Sequence, residues 1–351
     1  DGWRVKPPSW RFDIEGEHDL IEEVGRTHGF DAVPPRLPVT RATAGGQSEA
    51  EVPLLRLQQV LVDRDYFEAI NYSFVDPLVQ QRLVSAAPAI QLVNPIADNM
   101  SVMRESLWPG LLAAVQSNLN RQLTRVRLFE SGNIFWRQGR KRREQLRIGG
   151  AITGAALPLQ WGSEPREIDF FDLKSDVEAL CAPGRRKGEF SFRAGEHPAL
   201  HPGMCAEIRL GNKTVGHLGR LHPDHQKTLE IEQPVYLFEV EVEPLAEGLL
   251  PAFRPVSRYP ATHRDLAVIV DESISAAALL KVVREAAGKT LSRLELFDIY
   301  RGKGVEKNKK SLAFSLTLQA ESSNLTAPEA EEITNRIVAA LRSTLNAELR
   351  T

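Results

Sequence analysis

Four carboxylates near the start of the chain, Asp13, Asp19, Glu22 and Glu23, are of the type and spacing that could hold a metal ion. At about 100° per residue, a helix over residues 18–28 puts Asp19, Glu22 and Glu23 on one side and Leu20, Ile21 and Val24 on the other. Phe12-Asp13-Ile14, after the Pro7-Pro8 break, reads as a short strand that could bring Asp13 beside the acidic side. Converging carboxylate oxygens suit a hard cation such as Mg²⁺. A solvated helix face accounts for the same residues, with acids favoured near the helix N-terminus and Arg26 as a partner. A third possibility is a metal-dependent phosphotransfer site, for which only Arg11, Arg26 and His18 lie near enough in sequence to activate a nucleophile.

The elements that would position this cluster belong to a chain of 351 residues, long enough for two or three domains. A net charge of −2 gives no global field for nucleic acid, so any such contact must be local. Cys181 and Cys205 are too far apart in sequence to suggest a disulfide framework; they fit small core residues in a reducing, cytoplasmic setting. No apolar run approaches a membrane span. The chain starts at Asp1 without a methionine or signal-like segment, which suggests a piece of something longer.

Val33 to Pro38 is rich in proline and predicts a linker into a Thr-, Ala- and Gly-rich stretch. Helical spacing then covers 52–68, with Leu54, Leu57 and Leu61 on the apolar side, followed by a strand over 69–75. A helix over 109–123 opens with Pro109. Val126–Glu130 alternates as a strand; Ile134–Trp136 and Ile148–Thr153 flank a basic turn read as a solvated hairpin tip. A helix over 167–179 and strands over 206–218 and 235–242 complete a mixed α+β region. There is no Walker loop, paired CxxC, HExxH or nucleophile elbow. His222 and His225 could in principle meet a metal, but a partnered surface turn fits them better. Gly216-His217-Leu218-Gly219 lies in a strand rather than before a helix.

The last ninety-odd residues predict β-α-β-β-α-β, the ferredoxin-like order. Leu312, Phe314, Leu316 and Leu318 face the helices, and alternation sends Phe297 and Ile299 with them. Asp298, Tyr300, Ser311 and Ala267 then share the open face. That face is polar and small, and it suits stacking and hydrogen bonding of bases. Arg301, Lys303, Lys307, Lys309 and Lys310 form a basic strip beside it, opposed only by Glu306, that could meet phosphates. A lysine-rich hairpin beside a solvated sheet is the plainer reading.

Several stretches in chain order together resemble the beta chain of bacterial phenylalanine–tRNA ligase, in its C-terminal half. They are Pro7–Ile14 with Asp19–Glu23, Asn94-Pro95, Met103–Leu112, Leu128–Gly132, His201–Gly203, Leu221–Pro223, Ser257–Pro260 and Arg264–Leu266. The resemblance implies an α+β multidomain protein of three parts. Residues 1–36 would belong to a small acidic, winged-helix-like domain, binding one Mg²⁺ through Asp13, Asp19, Glu22 and Glu23 near an alpha-chain interface. Residues 40–247 would form a class II synthetase-like antiparallel-sheet core without an active site. No Gly-x-Gly-x-Glu-Arg signature is present, and Arg104-Glu105 only imitates an ATP-holding arginine motif. The apolar side of the 52–68 helix would be an interface. Residues 257–350 would be a ferredoxin-like anticodon-binding domain, with base contacts on Ala267, Asp298, Tyr300 and Ser311; the strip residues Arg301, Lys303 and Lys307 would contact phosphates.

The function implied is that of a non-catalytic subunit region supporting charging of tRNA(Phe), in a heterotetramer of two alpha and two beta chains. ATP would be used by the complex and not bound by this region, and no membrane is involved. A freestanding RNA-binding or regulatory protein on a decayed synthetase core is the alternative. Trp108, Met204-Cys205 and His263 depart from the family's usual pattern.

Overall fold

The computed structural model describes residues 2–39, 48–84, 89–184, 189–250, 252–253, 255–320 and 323–350. The chain divides into two compact units, Asp1–Leu250 and Pro251–Thr351.

The first unit opens with α1 (Glu17–His28), followed by α2 (Leu54–Val62), β1 (Phe67–Glu68), β2 (Phe74–Val75), α3 (Pro77–Leu83), β3 (Val102–Met103) and α4 (Trp108–Asn120). Two long strands come next, β4 (Val126–Gln138) and β5 (Lys141–Thr153), then α5 (Phe170–Leu180), β6 (Phe190–Ala194), β7 (Leu200–Leu210), β8 (Lys213–Leu221), α6 (Pro223–Thr228), β9 (Val235–Glu241) and α7 (Val242–Ala246). Seven strands form one sheet in the order β1-β4-β5-β9-β8-β7-β6. All its pairings are antiparallel except that of β1 with β4.

Period-two alternation feeds a core on each face of this sheet. Phe129, Ile148, Ile152 and Phe238 pack with Leu57 and Leu61 of α2 and Leu173 and Val177 of α5. Their neighbours Leu128, Ala151 and Leu237 pack on the opposite side with Leu107, Trp108, Leu111 and Leu112 at the start of α4. A Cβ at Gly150 would lie 2.3 Å from the Phe238 ring, so the glycine makes room for that side chain. Trp108 is fully accommodated, its indole N–H donating to the Phe238 carbonyl at 3.0 Å. Cys181 and Cys205 are buried and unbridged.

The basic hairpin is as expected, turning at Gly139 with φ +61°. Four other expectations are corrected. Residues 12–14 form turns and no strand. The strand expected over 69–75 is two short ones, β1 ending at Glu68 and β2 starting at Phe74. The strand expected over 206–218 is the hairpin of β7 and β8, because Gly211, at φ +58°, reverses the chain there. The apolar side of α2 is core rather than interface, since Leu57 and Leu61 are fully buried. The linker expected after Pro38 falls mostly on 40–47, outside the described residues.

The second unit runs β10 (Thr262–Asp271), α8 (Ala276–Ala287), β11 (Leu291–Tyr300), β12 (Lys309–Leu318), α9 (Ala327–Leu345) and β13 (Glu348–Leu349). Its sheet order, β11-β12-β10-β13, is the ferredoxin-like arrangement. Ser275 caps α8 by accepting from the Ala278 N–H at 3.2 Å, and Gly288, at φ +65°, ends it. Asn346 ends α9 in the left-handed region, which turns the chain into β13. Leu312, Phe314, Leu316 and Leu318 lie wholly buried against Leu279, Val283, Ile333 and Ile337.

Candidate functional site

At the acidic helix, the carboxylates already have partners. Arg11 donates to Asp13 at 2.7 Å and to Glu23 at 2.6 Å, and Arg26 donates to the other Glu23 oxygen at 2.6 Å. These guanidinium bonds hold the Asp13 carboxyl below its usual range and bring that of Glu23 down to about 2. Asp19 turns back to cap α1, accepting from the backbone N–H of Gly16 at 2.7 Å and of Glu15 at 2.8 Å, which lowers its pKa. Glu22 is exposed to solvent. In this pairing Arg11 already supplies the positive charge, and no group of three or more His, Cys, Asp or Glu among the described residues is arranged to hold a metal ion. The four side chains therefore do not fit a cation as they stand. The apolar side of α1 is also not a core face, with Ile21 63% and Val24 68% exposed.

On the open face of the second unit, Asp298 lies opposite Ala313 and Tyr300 opposite Ser311, while Ala267 lies opposite Ala313 from the other side. Three strands thus bring together the four residues assigned to base contacts. Their exposure differs: Asp298 is exposed, Ala267 and Tyr300 are half-buried, and Ser311 is 2% exposed. Phe297 and Ile299 correct the alternation. A bulge between Leu296 and Asp298 shifts the register, so that Leu294 and Leu296 pack on the core instead. Phe297 is left 60% exposed, and Ile299, though opposite Leu312, is 45% exposed on the edge strand.

The basic strip is less free than its composition suggested, because Glu272 also faces it. Arg301 bonds Glu272 at 2.6 Å and Lys309 bonds Glu306 at 3.0 Å, both pairs raising the pKa of the cation. Lys303 and Lys307 are exposed. One residue of this face was missed altogether: the Arg350 guanidinium lies 4.7 Å from the centre of the Tyr300 ring.

The large sheet carries a cavity of about 400 Å³ lined by Glu105, Trp136, Arg147, His197, His217 and Glu239, among others. Glu239 is saturated by Ser106 Oγ at 2.6 Å, the Leu107 N–H at 2.7 Å and Arg147 at 2.8 Å. His197 and His217 have ring centres 4.9 Å apart. Burial first, then His217 and Arg147, brings His197 down to about 4; burial and Arg147 lower His217 against the opposing pull of Glu207 and Glu239. Arg104 is 4% exposed, donating to Glu130 at 2.5 Å and to the Asn133 carbonyl at 2.9 Å, so it is not available to a phosphate. His222 caps α6 and His225 meets the Pro198 carbonyl, as a surface turn would have them.

Leu55 on α2, Phe67 on β1, and Ile70 and Tyr72 just after it are exposed apolar side chains, Ile70 at 93%. Among the described residues, no helix is long and apolar enough to cross a membrane.

The chain is thus a two-faced α+β unit followed by a ferredoxin-fold unit with a basic hairpin. The model of the phenylalanyl tRNA synthetase beta chain CLM domain matches residues 33–242, that of the ferredoxin-fold anticodon binding domain 257–350, and that of the tRNA synthetase B5 domain 1–30. The chain belongs to the phenylalanyl tRNA synthetase beta chain family. It is 45% identical over 348 residues to the phenylalanine–tRNA ligase beta subunit of Pseudomonas savastanoi and 44% identical over 349 to that of Methylococcus capsulatus. Each alignment covers 99% of this chain and 44% of the relative, so the chain spans less than half the length of these subunits. Among solved structures, a pyrrolysyl tRNA synthetase of Desulfitobacterium hafniense aligns with a TM-score of 0.41 at 14% identity, covering 65% of this chain and 73% of that one.

Proposed function

We propose that this chain is the assembly and anticodon-reading part of a phenylalanine–tRNA ligase beta subunit. In this reading it is non-catalytic itself and supports ATP-dependent charging of tRNA(Phe) by an alpha chain, in a cytoplasmic complex of two alpha and two beta chains. The observation that carries it is the alignment of Ala267, Asp298 and Tyr300 on one open sheet face beside the Lys303–Lys307 turn, in the unit matched by the anticodon-binding model. An aromatic ring can stack on a base, and a carboxylate can accept from a base edge while repelling phosphate. The engagement of Glu239 by Ser106, Leu107 and Arg147, and of Arg104 by Glu130 and Asn133, supports a class II-like core with no chemistry of its own. Any cation at the acidic helix would first have to displace Arg11 from Asp13 and Glu23.

Tyr300→Ala is expected to weaken binding of tRNA(Phe) by roughly 1–3 kcal/mol. Asp298→Ala should act in the same direction, and both should affect an anticodon-swapped tRNA much less. Lys303→Ala and Lys307→Ala should instead weaken both RNAs alike and flatten the salt dependence. Equal losses for Tyr300→Ala on the two RNAs would leave only a general electrostatic surface, as in a freestanding RNA-binding protein.

The alpha-chain contact is assigned to the apolar surface of Leu55, Phe67, Ile70 and Tyr72. Ile70→Asp is expected to abolish co-purification with the alpha chain while leaving the unfolding midpoint of the isolated chain within experimental error. Retained co-purification would move the interface elsewhere.

A further inference from the structure

The stacking of Arg350 on Tyr300 is made across the open face. Arg350 extends β13, and its backbone N–H donates to the Ala267 carbonyl of β10 at 2.8 Å. Tyr300 stands on β11, at the far side of the sheet from β13. Strands lie about 4.8 Å apart, so the two side chains can meet only by reaching toward each other over β10 and β12. Small residues leave room for them, Ala267 on β10 and Ser311 and Ala313 on β12, with Ile269 beside Ser311 as the larger neighbour. Ser311, directly opposite Tyr300, is correspondingly shut off from solvent. The other end of the ring is fixed by its own turn. Tyr300 Oη donates to the Lys303 carbonyl at 3.3 Å, and a Cβ at Gly302 would lie 2.8 Å from that oxygen. Arg350 itself is exposed, and no carboxylate is bonded to it among the described residues. Among the described residues, the contact its guanidinium makes is with the Tyr300 ring.

We propose that Arg350 is a displaceable cover over the base-reading face and a positioning residue for RNA. In the free protein its guanidinium occupies the ring of Tyr300; an incoming single-stranded base takes that place, and the released guanidinium pairs with a backbone phosphate of the same strand. This rests on the anticodon-reading function proposed above and adds a residue to it. The exchange is favourable because the ring trades one planar partner for another, while the cation trades a ring for an anion, the stronger and bidentate partner of a guanidinium.

The test uses the full chain and an RNA hairpin carrying the tRNA(Phe) anticodon loop. Arg350→Ala is expected to weaken binding several-fold and to lower the slope of log K against log salt by about 0.7, the value for one phosphate on a single strand. Arg350→Lys should keep that slope, because charge and reach are retained. In NMR of arginine-labelled chain, the Arg350 side-chain signals should carry a ring-current shift that Tyr300→Phe retains and Tyr300→Ala removes, and RNA should abolish the shift in the wild-type chain. A shift unchanged by bound RNA would overturn the exchange. Unchanged affinity and salt slope for Arg350→Ala, with Tyr300→Ala still impaired, would reduce Arg350 to a packing residue and leave the anticodon-reading function standing. Loss of neither on either substitution would sink both.

Discussion

Arg104→Ala is expected to lower the unfolding free energy of the Asp1–Leu250 unit by about 3–5 kcal/mol. Both partners of the Arg104–Glu130 pair are nearly inaccessible, with side chains 5% and 4% exposed. Removing the arginine leaves the Glu130 carboxylate buried with Asn71 as its remaining partner, at 2.7 Å. The Asn133 carbonyl loses its donor as well. The surrounding backbone is built to this pair, since a Cβ at Gly132 would sit 2.1 Å from Arg104 Nη2. All five tryptophans lie at or before residue 161, so indole fluorescence in a urea titration reports this unit alone. The double substitution Arg104→Met with Glu130→Gln should recover much of the loss, because it removes the unpaired charge rather than exposing it. A shift below 1 kcal/mol for Arg104→Ala would mean that water reaches Glu130 and that the pair is not the anchor the burial implies.

The same arginine shows where the sequence was legible and where it was not. Its absence from any phosphate-binding signature was readable, but its partner lies 26 residues away, on β4, and no local pattern announces it. Helix ends were readable because caps are local: Ser275 before α8, Gly288 after it and the Pro328 start of α9. The buried row of β12 was readable because its alternation is unbroken. β11 defeated the same rule, because Leu296 and Phe297 are adjacent and one bulge residue moves every later side chain to the other face. That doublet was the available signal, as Gly211-Asn212 was for the turn within 206–218. Helical spacing did collect the acidic residues, yet Arg11, two residues before Asp13, was in plain view as their counter-charge. A last strand was expected, but nothing local in the sequence placed Arg350 over Tyr300. Its place over Tyr300 depends on β13 returning to the edge of β10, a pairing set by the whole fold.

Mild acid should destabilise the first unit before its arginine-paired carboxylates titrate, with His197 as the main cause. The His197 ring packs edge-on against Trp108 at 4.9 Å, faces His217, and has Arg147 nearby; burial first, then His217 and Arg147, hold it neutral down to about pH 4. Its unfolded value is the ordinary one, near 6.5. Above 6.5 both states are neutral and stability does not depend on this residue. Between 6.5 and 4 the unfolded chain binds a proton that the folded chain refuses, so stability falls as pH falls; below 4 both are protonated and the loss is complete. For a half-buried ring the total is on the order of 2–3 kcal/mol, with His217 adding in the same direction. Carboxylates paired with arginine, such as Glu23, lowered from 4.5 to about 2, lose their contribution between those two values, so the two windows meet only at their edge. His197→Asn keeps an acceptor for the Ala199 N–H, which the Nδ1 atom now receives at 3.2 Å, but cannot be protonated. Urea midpoints measured by indole fluorescence at pH 7.5 and pH 5 should differ clearly in the wild-type chain and by much less in His197→Asn. Parallel curves for the two proteins would show that the His197 ring takes up its proton without unfolding, and that the cavity admits enough water to solvate it.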